Sequence, residues 1–299
     1  MSAADLGALQ RPNDRLRRRR VVNGGMELFG WLAAGVGVAI LVIIVWSIAE
    51  RGASKLSLDL FTKAQVPYAV ASVSQGLSNA FIGSLVIVGI ATAMALPFGI
   101  LVAIYVNEFA PRPVRNGVGL VLDVLNGIPA IVIGIFVYGL LVLGRGQNAF
   151  AGSFALAVMM LPLVARSTIE VLALVPNSLR EAALGIGSPR WRATLGIVVP
   201  QAVGGILTGA VLAVARVSGE TAPLLLTTSI VGPGTHWDPG TALQTVPVAI
   251  YELSDSPIPS DHALAWAAAL VLILFILVVS LTARWLATRS LRKLARAAR

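Results

Sequence analysis

The sequence predicts an all-α integral membrane protein with six transmembrane helices. Three observations point to this fold class: 57% of the 299 residues are hydrophobic, only 12% are charged, and the mean hydropathy is +0.83. In a soluble domain about a quarter of the residues are charged. Several apolar runs also reach the ~20 residues with which a helix crosses a bilayer.

Six such runs follow one another along the chain. Pro97 is expected to kink the second run, the sequence Gly127-Ile128-Pro129 interrupts the third, and the fifth is expected to continue past a kink at Pro223. The intervening segments, including 50–78 and 232–261, are predicted to be loops. The predicted spans cover residues 28–49, 78–106, 118–143, 150–174, 195–230 and 263–286.

These spans divide the chain into four parts. Residues 1–27 form a basic tail, and residues 28–79 contain the first transmembrane helix and an extracytoplasmic segment. Residues 80–287 form a transmembrane core, which includes a polar cytoplasmic loop at 176–194. Residues 288–299 form a second basic tail.

The distribution of basic residues predicts the orientation. Seventeen lysines and arginines lie on the side of the two termini, against four on the other side. Because cytoplasmic loops carry an excess of basic residues, both termini are expected in the cytoplasm of a bacterium, with the chain crossing its cytoplasmic membrane several times. These positive charges lie beside apolar runs, so the net charge of +9 indicates membrane orientation and membrane lipid rather than nucleic acid as a partner.

The polar loop contains the most informative stretch, EAALGIGSPRWRATLGIVVP, from Glu181 to Pro200. Its first residues are good helix formers. Gly185 and Gly187 then interrupt the helix, and Pro189 suits the first turn of another. The stretch therefore predicts a helix, a tight glycine bend and a second helix that leads into the membrane.

This stretch resembles the EAA loop of ABC importer permeases, a pattern of E-A-A, three residues, G, nine residues, I, one residue and L-P. Val199 stands where that family usually has leucine. The matching residues are Glu181, Ala182, Ala183, Gly187, Ile197 and Pro200. The resemblance implies a type I ABC importer permease whose loop docks into a separate ATPase subunit. An ordinary loop between helices is the alternative.

Two charges fall inside the fifth predicted span. Arg216 and Glu220 are four residues apart, so on a continuous helix they share one face and can touch. Arg216 is roughly 24 Å beyond Pro200 at 1.5 Å per residue, in the outer half of the membrane core. Such charges usually line a transport route; a self-neutralised structural pair is the alternative.

A guanidinium group suits an oxyanion, because its planar fork donates two parallel hydrogen bonds. A transport site must also release its ion. The carboxylate of Glu220 serves that need, since it can hold Arg216 when the site is empty and compete with a bound anion.

The run ARVSGETAPLL around these charges resembles the phosphate-specific branch of the ABC importer permeases, and G-E-T-A-P-L-L resembles its PstA-type subunits. NGIPAIVIG and LPLVARSTIEVLALVPNSLREAALGIG extend the likeness, which covers roughly residues 75–285. The pathway residues that the resemblance implies are Arg216, Glu220, Thr221 and Arg166.

The same resemblance implies partners: a PstC-type permease in a heterodimer, two ATPase subunits and an extracytoplasmic phosphate-binding protein, with inorganic phosphate as substrate. The chain lacks the G-x-x-x-x-G-K-[ST] pattern that cradles nucleotide phosphates. It is therefore expected to be non-catalytic and without a cofactor, with ATP bound and hydrolysed by partner subunits.

Other ionisable residues are less informative. Arg166 and Glu170 form a second pair four residues apart, suited equally to the pathway and to support of the EAA loop. Asp123 in the third span is expected to be buried against donors of a neighbouring helix. His236 and His262 are expected to be loop residues without metal-ligand spacing, and the chain has no cysteine, so no metal site is expected.

Two alternative transport functions remain open. Most six-span importers share an EAA loop, so a permease for molybdate or sulfate differs only in the residues around Arg216. A stand-alone secondary anion transporter is disfavoured by the EAA loop. A membrane-embedded enzyme is disfavoured because no nucleophile and base are suitably spaced.

Overall fold

The computed structural model describes residues 14–65, 75–229 and 235–297, and the secondary structure within these ranges is entirely helical. Three of the helices are continued by a π-helical turn: Tyr105–Phe109, Tyr138–Val142 and Thr194–Val198. The helices are α1 (Asp14–Gly52), α2 (Leu58–Thr62), α3 (Ser78–Ile104), α4 (Arg112–Gly127), α5 (Ala130–Val137), α6 (Ala149–Ala173), α7 (Asn177–Gly185), α8 (Arg190–Ala193), α9 (Val199–Val217), α10 (Ala222–Thr227), α11 (Val246–Ser254) and α12 (Pro259–Ala297).

Within the described residues, five helices are long and apolar enough to cross a membrane. A sixth crossing is added if the consecutive helices α4 and α5, which meet at an angle of 95°, are taken as one span. The predicted six-helix membrane fold is thus confirmed, and the interruption at Gly127-Ile128-Pro129 is a sharp bend. The proline fits this position because it cannot donate a backbone hydrogen bond to a continuing helix.

The chain divides into two units, and the boundary along the sequence lies between Glu50 and Arg51. The described part of the first unit is a single helical segment, the beginning of α1, whose side chains are exposed from Arg18 to Trp46. This helix begins inside the predicted basic tail, where leucine and five arginines are good helix formers. Arginine, leucine and alanine are also frequent in the second predicted tail, and α12 continues through most of it to Ala297.

The second unit has its core where α3 crosses α6. Small residues on α3 let the two backbones approach, and larger apolar residues of α6 fill the space between them. The buried residues at this crossing include Ile87, Ala91, Ala95, Leu156, Met160 and Val164. Such pairing of small and large side chains is typical of membrane helices, where close packing replaces the hydrophobic effect as the force of association.

Helix α9 also packs against α6 through small residues. A Cβ atom built on Gly205 would lie 2.5 Å from Cγ1 of Val171, and one built on Gly209 would lie 2.5 Å from the Ser167 hydroxyl. These glycines are four residues apart, as in the G-x-x-x-G pattern that brings membrane helices together. The contact therefore positions the helix that carries Arg216.

Two predicted loops contain helices. The segment 50–78 includes α2, and the segment 232–261 includes α11, whose buried residues Val248, Ala249 and Leu253 form an apolar face. Pro247 lies in the first turn of α11, where it favours a helix rather than a loop. His262, predicted to lie in a loop, is in the first turns of α12, and its Nε2 atom lies 2.7 Å from the carbonyl oxygen of Ser256.

Candidate functional site

The fifth span is broken next to Arg216. Helix α9 ends at Val217 and α10 begins at Ala222, so the prediction of a helix kinked only at Pro223 is wrong. Gly219 weakens the helix at this position, and the backbone N–H of Gly219 donates to the carbonyl of Arg216 at 3.2 Å in a tight turn. Pro223 lies in the first turn of the new helix, which needs no N–H group there.

This break separates the two charges that the sequence placed on one helical face. Arg216 belongs to the last turn of α9, whereas Glu220 lies in the irregular segment beyond it. Within the part of the chain that the structure describes, no ion pair joins them, and Arg216 is exposed. The predicted i,i+4 contact is therefore wrong, because its premise was a continuous helix.

Arg216 and Glu220 instead line one cavity of about 110 Å³. Residues around the bend between α4 and α5 form another wall, including the Asn126 amide and Ala130, the first residue of α5. The breaks of two spans thus meet at this cavity. Discontinuous helices of this kind form substrate sites in several transporter folds, because their ends present backbone groups that a continuous helix uses internally.

The cavity lies beside the middle of α6. Met159 and Leu163 contribute to its wall, and they are the eleventh and fifteenth of the 25 residues of this helix. The position of Arg216 in the outer half of the membrane core stays a prediction.

A second charged group lies near the cavity. The Arg166 Nη2 atom on α6 is 2.6 Å from the carboxylate of Asp123 on α4, and both side chains are partly exposed. Glu170, the predicted partner of Arg166, is exposed and forms no ion pair with it, so that prediction is wrong. The expectation that Asp123 meets a donor of a neighbouring helix is confirmed, although the carboxylate is not buried.

This ion pair is displaced from the cavity toward the EAA loop. Asp123 precedes the cavity residue Asn126 by three positions, and Arg166 follows Leu163 by three positions. Beyond Arg166, α6 continues to Ala173, after which the chain enters α7 of the loop. Thr221, the other predicted pathway residue, is half-buried at the start of α10 and does not line the cavity.

The EAA loop has the predicted helix-turn-helix form. Helix α7 ends at Gly185, and Gly187 turns the chain with a φ of 80°, a conformation that glycine adopts without the strain of a side chain. The backbone N–H of Ser188 donates to the carbonyl of Ala183 at 3.1 Å and closes the turn. Helix α8 then begins at Arg190.

The outer surface of this loop is exposed and partly apolar. Glu181 and Ala182 are exposed, whereas Ala183 is buried against the protein. Ile186 is 85% exposed and Trp191 is 55% exposed. Pro200, which closes the EAA pattern, is exposed in the first turn of α9. Ile186 lies outside the candidate spans, where an uncovered apolar side chain suits contact with another protein.

The comparisons with known proteins agree with this fold. Residues 95–292 match the model of a family described as the binding-protein-dependent transport system inner membrane component. Among solved structures, the chain is similar to a bacterial ABC transporter involved in the import of the acidic polysaccharide alginate, with a TM-score of 0.63 and 17% identity over 91% of this chain and 99% of that one. It also matches a chain of the MetNI methionine ABC transporter in an inward-facing conformation, with a TM-score of 0.56 and 16% identity over 72% of this chain and 94% of that one.

Sequence relatives cover nearly the whole chain. The phosphate transport system permease protein PstA of Pasteurella multocida (strain Pm70) is 38% identical over 91% of this chain and 96% of its own length. The protein of the same name from Xylella fastidiosa (strain Temecula1) is 38% identical over 92% and 95% of the two lengths. PstA 1 of Mycobacterium tuberculosis (strain H37Rv) is 34% identical over 92% and 91%. With its type I permease architecture, the chain belongs to the binding-protein-dependent ABC permeases and, within them, to the PstA-type permeases.

Proposed function

We propose that this chain is the transmembrane permease subunit of an ATP-driven importer of inorganic phosphate, in which it forms half of the translocation pathway. The observation that carries the proposal is the cavity at the two helix breaks, where the free guanidinium of Arg216 lies near the carboxylate of Glu220. The names of the relatives support phosphate as the substrate.

The arrangement suits transient binding of an anion. A guanidinium matches two phosphate oxygens with parallel hydrogen bonds, and the N–H groups at the start of α5 add partial positive charge to the cavity wall. Glu220 limits the affinity by repelling a doubly charged anion, and it accepts a hydrogen bond when the phosphate is protonated. The site therefore binds phosphate loosely enough to release it.

The Asp123–Arg166 pair supplies a second step on the same route. Phosphate that leaves Arg216 toward the EAA loop next binds to Arg166, which releases Asp123. The ion pair between Arg166 and Asp123 forms again once the phosphate has left. The pair suits this exchange because it is partly exposed, and exposed ion pairs are worth only about 0–1 kcal/mol.

The EAA loop supplies the coupling to ATP hydrolysis. Glu181, Ala182, Ala183, Gly187 and Pro200 shape a surface that docks into a partner ATPase, of which the complex contains two copies. A PstC-type permease forms the other half of the pathway, and an extracytoplasmic phosphate-binding protein delivers the substrate. ATP binds to the partner subunits, and the chain itself needs no cofactor.

Phosphate uptake by cells that lack other phosphate importers tests the pathway. Arg216→Lys keeps the charge but removes the planar fork, and Glu220→Gln removes the competing carboxylate. Both variants are expected to assemble normally and to lose most uptake, because the two side chains do not stabilise each other. Arg145→Lys, at an exposed arginine of the turn between α5 and α6, is the matched control.

Near-normal uptake by the double variant Arg216→Leu/Glu220→Leu would refute the pathway role. Competition by sulfate and molybdate tests the substrate, since uptake of one of these anions in place of phosphate would move the proposal to another oxyanion. The orientation has its own test in this cysteine-free chain. A cysteine at Ser188 is expected to react only from the cytoplasm and one at Gly240 only from outside.

A further inference from the structure

We propose that the ion pair between Arg180 and Glu108 is the mechanical link that carries movement of the EAA loop into the membrane helices. Arg180 directly precedes Glu181 of the EAA pattern, and Glu108 lies in the π-helical turn that ends α3. The two are then positioning residues for energy coupling. This inference rests on the proposed docking of the loop into an ATPase.

The pair has the geometry of a strong, oriented contact. Nε of Arg180 donates to Oε2 of Glu108 at 3.1 Å, and Nη2 donates to Oε1 at 2.8 Å, so two parallel hydrogen bonds fix the guanidinium plane against the carboxylate. The side chain of Glu108 is 8% exposed and that of Arg180 is 20% exposed. Among the ion pairs between described residues, this is the most buried.

Arg180 also holds the end of α6. Its Nη2 donates to the carbonyl of Leu172 at 2.9 Å, and its Nη1 donates to the carbonyl of Val175 at 2.6 Å and to Oδ1 of Asn177 at 3.1 Å. The last carbonyls of a helix have no partner inside the helix, and this arginine donates to one of them, that of Leu172, from the loop. One side chain thus ties α7 to both α3 and α6.

Glu108 belongs to a turn that is itself held from α4. Nε of Arg115 donates to the carbonyl of Val106 at 3.1 Å, and its Nη2 donates to the carbonyl of Asn107 at 2.8 Å. The amide of Asn107 donates to Oε1 of Glu108 at 2.6 Å. A displacement of Glu108 is therefore felt at the start of α4, whose far end reaches the cavity containing Arg216.

Apolar packing of α7 itself is sparse. Ala183 is the one buried residue of α7, and its methyl group offers little surface through which to push or pull a neighbouring helix. The guanidinium of Arg180, in contrast, makes five hydrogen bonds, four of them to groups outside α7. Helix α7 is consequently attached to α3 and α6 chiefly by polar contacts that are directional and short, whereas the apolar contacts at Ala193 and Val198 hold the second helix of the loop.

The test uses the complete complex with its ATPase, partner permease and binding protein, reconstituted in vesicles. The readout is the amount of phosphate imported for each ATP hydrolysed. Arg180→Lys and Glu108→Gln are expected to assemble and to lower this ratio about tenfold, within the range typical of coupling between two sites. Arg112→Lys, at an exposed arginine that starts α4, is the control and is expected to keep the ratio.

A covalent replacement separates a mechanical role from a stabilising one. The chain has no cysteine, so Glu108→Cys/Arg180→Cys can be bridged with a reducible dithiol-reactive linker of the length of the ion pair. Bridging is expected to restore the ratio, and reduction is expected to abolish it again. If the single variants fail to assemble, the bridged complex is purified first, and reduction is then expected to lower the ratio while the complex stays assembled.

Two results would overturn the inference: an assembled Arg180→Lys complex with an unchanged ratio, or a bridged complex that assembles but stays uncoupled. Failure of the proposed function gives a different result. In that case the unmodified chain does not co-purify with an ATPase, whatever the state of Arg180.

Discussion

The guanidinium of Arg166 lies 2.6 Å from the carboxylate of Asp123, 43 positions away, although Glu170 stands one helical turn from Arg166 on the same helix. Arg166 thus connects α6 to α4 at the edge of the cavity, and Glu170 is left exposed. Their separation along the chain means that the pair depends on how the helices pack.

This pairing predicts different results for two acidic residues. Asp123→Asn is expected to slow phosphate uptake about two- to fivefold, the kinetic equivalent of an exposed ion pair worth up to 1 kcal/mol. Glu170→Gln is expected to leave uptake unchanged. Initial uptake rates at saturating phosphate measure the effect, and thermal unfolding of the purified complex checks stability. A slower rate for Glu170→Gln with a normal rate for Asp123→Asn would contradict the assignment.

The bend of the EAA loop predicts graded effects at Gly187. A β-branched valine in the left-handed conformation costs about 1–2 kcal/mol, so Gly187→Val is expected to distort the loop and stop uptake while the chain stays in the membrane. Asparagine adopts this conformation more readily, so Gly187→Asn is expected to keep more activity. Gly185→Ala is the control, since a Cβ there meets no other atom within 4 Å. Phosphate-stimulated ATPase activity measures coupling, and equal activity in Gly187→Val and wild type would contradict the role of the bend.

The contact between α9 and α6 predicts opposite signs for two Gly→Ala changes. Gly205→Ala places a methyl group against Val171 and is expected to destabilise the fold by about 1–3 kcal/mol. Gly89→Ala on the exposed side of α3 meets nothing within 4 Å and is expected to stabilise its helix by about 0.5–1 kcal/mol. Thermal unfolding in detergent compares them, and equal shifts would argue against close packing at Gly205.

The partly buried carboxyl of Glu252 is expected to make the free energy of unfolding depend on pH. It lies on α11, outside the candidate spans, and burial raises the pKa of its carboxyl above the usual 4.5, although a hydrogen bond from the Gln244 amide at 2.7 Å acts in the opposite direction. Folding therefore favours the protonated acid. The contribution of Glu252 to the free energy of unfolding is greatest below pH 4.5 and is lost as the pH rises through its raised pKa.

Glu252→Gln removes this titration and can keep the hydrogen bond with Gln244. The variant is expected to unfold at a higher temperature than wild type near neutral pH, with a smaller gain in more acidic buffer. Glu50→Gln, at an exposed position, is the control and is expected to show no such gain. A gain that is independent of pH would show that folding does not shift the pKa of Glu252, and it would contradict the prediction.

The regular parts of the fold could be predicted because they depend on local sequence. Hydropathy marks the spans, and glycine and proline residues mark where helices are interrupted. Runs of apolar residues located the spans, and Gly127-Ile128-Pro129 located the bend between α4 and α5. The second break was missed because one glycine, Gly219, interrupts an otherwise apolar and helix-forming stretch. Helix α11 was missed because its neighbouring prolines and glycines suggested a loop.

The sequence identified the residues of the site better than it identified the contacts between them. Arg216 and Glu220 do meet at one cavity, but across a break and not along a helix. Spacing of four residues favoured Glu170 as the partner of Arg166, whereas packing supplies Asp123. Glu108 and Arg180 are separated by 72 positions, and no local pattern relates them. Contacts of this kind depend on tertiary structure, which sequence periodicity does not describe.

The two helix breaks also have a consequence for solvent. A helix end leaves several backbone N–H and C=O groups without intrahelical partners, and such groups cost several kcal/mol each in hydrocarbon. The ends of α4 and α9 and the beginning of α5 all border the cavity near Arg216. Some of these groups bond within the turns, as the Gly219 N–H does with the carbonyl of Arg216, but lipid tails can satisfy none of the rest. We therefore expect water to fill the cavity when no anion is present, so that an arriving anion exchanges one set of hydrogen bonds for another.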